Sequence, residues 1–561
     1  MVRKALLLIF LGALGVLFAL PGMAGATVFC VDTTPGVLVD NDSIDPSCEA
    51  PQPTILSGLA AAQNQAGPDS VLIGPGSYTL PSAPNASEVS YASEGVLHLR
   101  GIGNPHLTMG STVGLQSGIS IFAGNGSSVE GLSLTIPANA DIAADWGLEI
   151  GGVGASVVLA RDLHVDGPAA SNAQGIELGT GGKLVDSTVK LPEVASPTNT
   201  AVIASSGDVT LLDDEITADV GITGSGNTVT VERSRITAWW GAQTDGGALV
   251  VRDSLIQVEK RNSAVGIKLA NDNNSFSTIL GTIENDTIVG GEGFNTAGIR
   301  VQADQTQETA NATIADTVIS GPAHALEVWS DAEREAKATV LYSNYDPAKV
   351  NINTNLDGSG TSGTSTYLPT SVTNLVPGFV DPVGGDFHLA AGSALIDGGD
   401  PAAPAIGALD RDGDARAIAG TCGAAARRDI GADEFDPGCA PAGGEGGGGA
   451  AGGSGEGIAG GGTGSIAASP VVPDTTIALR GKHRVTASGK SAKVTVAIGS
   501  TVAGASYRCR VDGKAWRACS ATTTLRLKPG KHKVAAVAAT AAGVDPTPAI
   551  VRVRVIEATE G

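Results

Sequence analysis

RDLHV (161–165), VDSTV (185–189), LDDEI (212–216), ERSRI (232–236), RDSLI (252–256), ENDTI (284–288) and ADTVI (315–319) share one pattern, a short polar pair leading to a β-branched residue. Their second residues recur 20 positions apart at the closest (213 to 233) and 32 at the widest (253 to 285). A unit of that size with variable insertions is what a solenoid produces when its loops vary on one face. A second series, out of phase with the first, reads GLEI (147–150), GIEL (175–178), GIKL (266–269), GIRV (298–301) and ALEV (325–328). Its apolar, outward, apolar alternation is the period of a half-buried strand, and the Gly, Asp, Asn and Ser residues between supply turns. Two short strands per coil, a third to close it, and no helical periodicity predict an all-β fold, a parallel β-helix. A β-sandwich is the competing reading, but its hairpins call for two-residue Asn-Gly turns that are scarce here.

The composition narrows the function. Of 561 residues 57 are acidic and 35 basic, a formal net charge of -22, and 4% are aromatic. Such a chain repels polyanions, which argues against nucleic acid as a specific partner. The charge is unevenly shared: residues 27–469 hold 18 basic and 52 acidic side chains, and residues 470–561 hold 15 and 5. A Gly-rich stretch within 441–469 separates the two parts and reads as a flexible tether. Residues 1–26, with a basic start, an apolar run and Ala24-Gly25-Ala26, read as a signal peptide. No later stretch is apolar enough to span a membrane, so the mature protein is expected to be secreted or held at the cell surface. Six cysteines fit that setting as three local pairs, Cys30 with Cys48, Cys422 with Cys439 and Cys509 with Cys519.

Two segments carry a family likeness. PTILSGLAAAQNQAGPDSVLIGPGSYTL (53–80) resembles the start of secreted right-handed parallel β-helix proteins of the pectate-lyase-like superfamily, in which a helix caps the first coil. The resemblance implies that Ile55, Leu59 and Ala62 face that coil. DFHLAAGSALIDGGDP (386–401), DRDGDAR (410–416) and RRDIGADEF (428–435) are similar to the C-terminal region of the choice-of-anchor Q group of such proteins. Residues 27–440 are therefore expected to form one β-helix domain. Residues 470–561 resemble bacterial Ig-like β-sandwiches, with Cys509 and Cys519 flanking a hairpin that bears Asp512.

Enzymes on the β-helix fold act on polysaccharides, and their signatures are incomplete here. No His is followed by Gly, as a polygalacturonase-type hydrolase would require. An eliminating lyase needs a cation for the uronate carboxylate and a basic residue to take the α-proton. Lys268 and Arg300, in the outward slots of GIKL and GIRV, are the catalytic candidates, stacked about 5 Å apart if their coils are adjacent. Glu327 occupies the same slot in ALEV, so an ion-pair ladder is the competing reading. Trp239 and Trp240, with Trp146 and Trp329, could offer sugar-stacking rings, alternation aiming one of the neighbouring pair inward and one outward. Asp410, Asp412 and Asp414 offer hard oxygen ligands, making calcium the one cofactor worth naming, although the spacing is not that of an EF-hand. The expected protein is a non-catalytic surface rod that presents a face to an extracellular or cell-wall polysaccharide, its basic domain binding anionic envelope polymers. A polysaccharide lyase is the alternative.

Overall fold

The computed structural model describes residues 27–31, 50–437 and 475–556, apart from 66, 81–88, 110–116, 138–144, 155, 168–172, 193–198, 271–277, 292, 305–308, 332–333, 356–361, 403–408, 423, 480–483, 488–489, 501–504, 513, 515, 541–542 and 545–548. The expected signal peptide and tether, Cys48 and Cys439 lie outside the described residues.

Each coil runs through three short strands, one more than the two motif series mark, and each strand pairs in parallel with its counterpart one coil away. The first sheet stacks 14 strands, among them Val158–Arg161, Gly182–Val185, Val209–Leu212 and, last, Thr364–Thr370. The second includes His164–Asp166, Thr188–Lys190, Leu255–Val258 and Val318–Ser320. The third includes Asp145–Gly152, Ala173–Leu178, Val265–Leu269, Ala297–Ala303 and His324–Ser330. Second and third sheets merge where Glu215–Gly224 and Arg235–Thr244 run unbroken from one into the other. The molecule is a parallel β-helix. Within it Val189, Ile216, Ile236, Ile256 and Ile288 stack rung on rung and are fully buried, each worth roughly 1.5–3 kcal/mol of apolar burial. At the N-terminal end helix α1 (Ile55–Gln63) closes the core with Ile55, Leu59 and Ala62 inward, as expected, and Thr54 and Ser57 form its capping box.

The pentapeptide motif resolves into two different devices. Its second residue is the corner between first and second sheets: Asp162, Asp186, Asp213, Arg233, Asp253, Asn285 and Asp316 all have φ between 46° and 60°. Asp and Asn tolerate this left-handed region best, which is why they recur. The third residue points inward and joins the coils. The N–H of Ser187 donates to Asp214 Oδ1 (2.7 Å), that of Asp214 to Ser234 Oγ (3.2 Å), that of Ser234 to Ser254 Oγ (3.2 Å) and that of Ser254 to Asp286 Oδ1 (2.8 Å). Every tight corner thus has its buried N–H satisfied by the next rung. The glycines near the start of the third-sheet strands meet a different constraint: a Cβ on Gly147 or Gly266 would stand 2.8 or 2.6 Å from the carbonyl oxygen of Gly175 or Gly298 in the next coil.

The segment from Phe379 to Asp436 lies along the flank, not across the end. Leu389, Leu395 and Ile430 pack with Val318 on the outside of the second sheet. Residues 475–556 form two sheets, chiefly antiparallel. Val496 and Ile498 of one pack against Cys509, Val534, Ala536 and Val551 of the other, so this part is a small sandwich. Cys509 and Cys519 are bonded as expected, and Cys30 and Cys422 each form a disulfide with a cysteine outside the described residues. No helix among the described residues is long and apolar enough to cross a membrane.

Candidate functional site

The outward slot of the third sheet is one register column. It passes from Glu149 and Glu177 through Ile203, Thr223 and Gln243 to Lys268, Arg300 and Glu327. Lys268 and Arg300 are therefore on neighbouring rungs, as the motif alignment predicts. Although they face out, these side chains are sunk: Gln243 is 9% exposed, Lys268 7% and Glu327 0%.

Glu327 organises the C-terminal half of the column. Arg300 Nε donates to its Oε2 at 2.7 Å, and His324 Nδ1 lies 2.7 Å from its Oε1. The Arg300 guanidinium lies 4.5 Å over the Trp329 ring, and Lys268 Nζ 5.2 Å from the Trp240 ring. Trp240 stacks on Trp239 with centroids 4.8 Å apart, and Arg261 covers Trp239 at 4.5 Å while pairing with Asp219 and Glu259. Neither ring of the pair is inward. Ala238 and Ala242 are buried and the chain turns the corner between them at Trp239, Trp240 and Gly241, so alternation resets there.

Three cations, Arg261, Lys268 and Arg300, face three carboxylates, Asp219, Glu259 and Glu327. Glu327 in particular neutralises Arg300 and removes the like-charge repulsion that an eliminating base would draw on. Two buried polar atoms, Gln243 Oε1 in the column and Trp329 Nε1 beside it, have no hydrogen-bond partner. Towards the N-terminus Trp146 Nε1 and Glu177 Oε2 are in the same position, and burial pushes the Glu177 carboxyl up. The site is thus a strip of indole rings and buried polar atoms, charge-balanced in its C-terminal half and acidic towards Glu149 and Glu177. Arg261, His324, Asp219 and Glu259 were not expected in it. They lie outside both motif series, Glu259 and Arg261 in a turn and Asp219 and His324 on strands, and Arg261 meets Asp219 across 42 residues.

Asp410, Asp412 and Asp414 do not converge on a cation. Asp410 is buried, its Oδ1 accepting the N–H groups of Asp412 (3.0 Å) and Asp414 (2.8 Å) and its Oδ2 that of Glu434 (2.9 Å). The donor set that comes together among the described residues is His388, Asp412 and Asp433. Cationic side chains already serve it. His388 Nε2 is 2.6 Å from Asp412 Oδ2, Nδ1 contacts Asp386, and Arg411 shares Asp412 at 3.5 Å. The hydrogen bond to Asp412, foremost, raises the His388 pKa to about 9. This cluster reads as an ion-pair staple, and of the three calcium candidates only Asp412 belongs to it.

The sequence matches no family model and no curated protein. Among solved structures the chain is similar to pectate lyase Pel9A, with a TM-score of 0.44 and 12% identity over 74% of this chain and 98% of that one. It is also similar to the A-module of the mannuronan C-5 epimerase AlgE6 of Azotobacter vinelandii, with a TM-score of 0.33 and 11% identity over 58% and 94%. The fold assignment itself stands on the strand pairings given above.

Proposed function

We propose that this is a secreted or surface-held β-helix protein whose third sheet binds an extracellular glycan without turning it over. The observation that carries the reading is the row of part-exposed indole rings, Trp239, Trp240 and Trp329, on one outward strip. Rings of this kind stack on the apolar faces of sugars. Three cations against five carboxylates, Glu149 and Glu177 included, favour a neutral glycan over a polyuronate, which an acidic rod would repel. The competing reading is a lyase with Lys268 as base and Arg300 as the neutralising cation. The basic sandwich, read as an Ig-like domain, would hold the rod to anionic envelope polymers.

Incubating residues 27–440 with a panel of neutral and acidic polysaccharides, with and without calcium, separates the two readings. Retention on a neutral glycan with no change in chain length is expected. Release of unsaturated uronate products that Lys268→Ala abolishes would establish the lyase instead.

A further inference from the structure

The column of left-handed corner residues forms a strip along one edge of the β-helix, its rungs about 4.8 Å apart. Most of that strip is gripped by groups from elsewhere in the chain. Asp213 accepts both Nε and Nη2 of Arg233 from the next rung, at 3.0 and 3.1 Å. Asp253 takes Arg416 Nη2 at 2.5 Å, Asn285 takes Arg428 Nη1 at 3.5 Å, and Asp316 takes the N–H of Asp400 at 2.7 Å. The last three donors belong to the flanking segment, so this corner chemistry already holds one distant part of the chain in place.

At the N-terminal end of the same strip stand Asp162 and Asp186. Lys533 Nζ of the C-terminal sandwich lies 3.9 Å from Asp162 Oδ2 and 3.8 Å from Asp186 Oδ2. Lys533 is well placed for this. Its N–H donates to Asp512 Oδ1 at 2.9 Å, and His532 Nδ1 lies 2.7 Å from Asp512 Oδ2, which fixes the start of strand Gly530–Thr540.

We propose that Asp162 and Asp186 are a docking strip for the basic C-terminal sandwich of the same chain, with Lys533 bridging the two carboxylates. The opposite charges of the two parts favour the encounter, and a tether of some thirty residues holds the partners at an effective concentration near the millimolar range. Exposed ion pairs are individually weak. The latch therefore closes at low ionic strength and opens when salt, or a polyanion competing for the lysine, screens it. A polyanion that captures the sandwich would in the same step release it from the rod. The inference is independent of the glycan strip on the third sheet.

Zero-length carbodiimide coupling of the whole mature chain, followed by mass spectrometry of the monomer band, tests it, because only amine–carboxylate pairs in contact are joined. A peptide linking Lys533 to Asp162 or Asp186 is expected at low salt, with its yield falling several-fold in about 1 M salt, where the screening length drops to about 3 Å. The link should vanish in Asp162→Asn/Asp186→Asn, a change the left-handed corner tolerates. Small-angle scattering should then show the larger radius of the undocked molecule. Absence of a Lys533 link while other lysine–carboxylate pairs react would overturn the proposal. So would links found only between isotopically distinct copies, or a radius indifferent to both salt and the double substitution.

Discussion

At the scale of single residues, two adjacent positions of one pentapeptide do unrelated work. Asp186 turns the corner with φ 57°, while Ser187 points inward, donating its hydroxyl to Val185 O and receiving the N–H of Leu163. Ser234 is the clearest test. Its Oγ accepts from the Asp214 N–H and donates to Glu232 O, which also accepts the Asp213 N–H, so Ser234→Ala strands one buried backbone group, the Asp214 N–H. A loss of about 1–3 kcal/mol is expected from urea unfolding of the β-helix, with Ser234→Thr much milder because Thr317 fills the equivalent rung. The recurrence of the polar pair is legible in the sequence. Which member faces in is not, since both are small and polar and the corner breaks the alternation on which such a reading depends. The same break placed Trp239 and Trp240 together on the surface, whereas the register of Lys268, Arg300 and Glu327, on a straight strand, was readable directly.

Among the elements, the flanking segment shows best where sequence reading runs out. DRDGDAR and RRDIGADEF stand out as motifs, and several of their acids, Asp410, Asp429 and Glu434, are spent on the chain's own backbone. Asp429 Oδ1 and Oδ2 accept the N–H groups of Asp397 and Phe435, and Glu434 those of Ile418 and Asp429. Arg416, fully buried, reaches back 163 residues to Asp253. Partners that are backbone groups, or side chains so far along the chain, leave no local spacing to read. The staple at His388 makes this element sensitive to pH. Folding raises its pKa to about 9 from an ordinary value near 6.5. Its contribution is therefore fully present below about pH 6.5 and is lost as pH rises through about 9. Hydrogen exchange in the strand Asp386–Leu389 should accelerate across that window, beyond the intrinsic rise of exchange with pH, and His388→Gln should remove the excess. An excess unchanged in His388→Gln would show that the imidazolium does not hold the segment.

Over the whole molecule, the partition of charge sets what each part can meet. Residues 27–469 sum to -34 and residues 470–561 to +10, so only the sandwich suits an anionic polymer. Removing residues 470–561 should abolish retention on anionic cell-wall material at low salt while leaving glycan binding by the β-helix intact. Equal retention of the truncated protein would remove the anchoring role. The fold was legible because a solenoid writes its period into the chain. The strip proposed to bind glycan was legible only in part, because Arg261 lies in a turn and His324 just ahead of its strand motif, where neither repeat marks them.

The central claim is that the third-sheet strip binds a glycan through its indole rings, and calorimetric titration of the β-helix with the polysaccharide it retains tests this most directly. Trp240→Ala and Trp329→Ala should each weaken binding about tenfold or more, consistent with stacking interactions of about 1 kcal/mol beyond the area lost, without lowering the melting temperature of the fold. Unchanged affinity in the double variant would contradict the account.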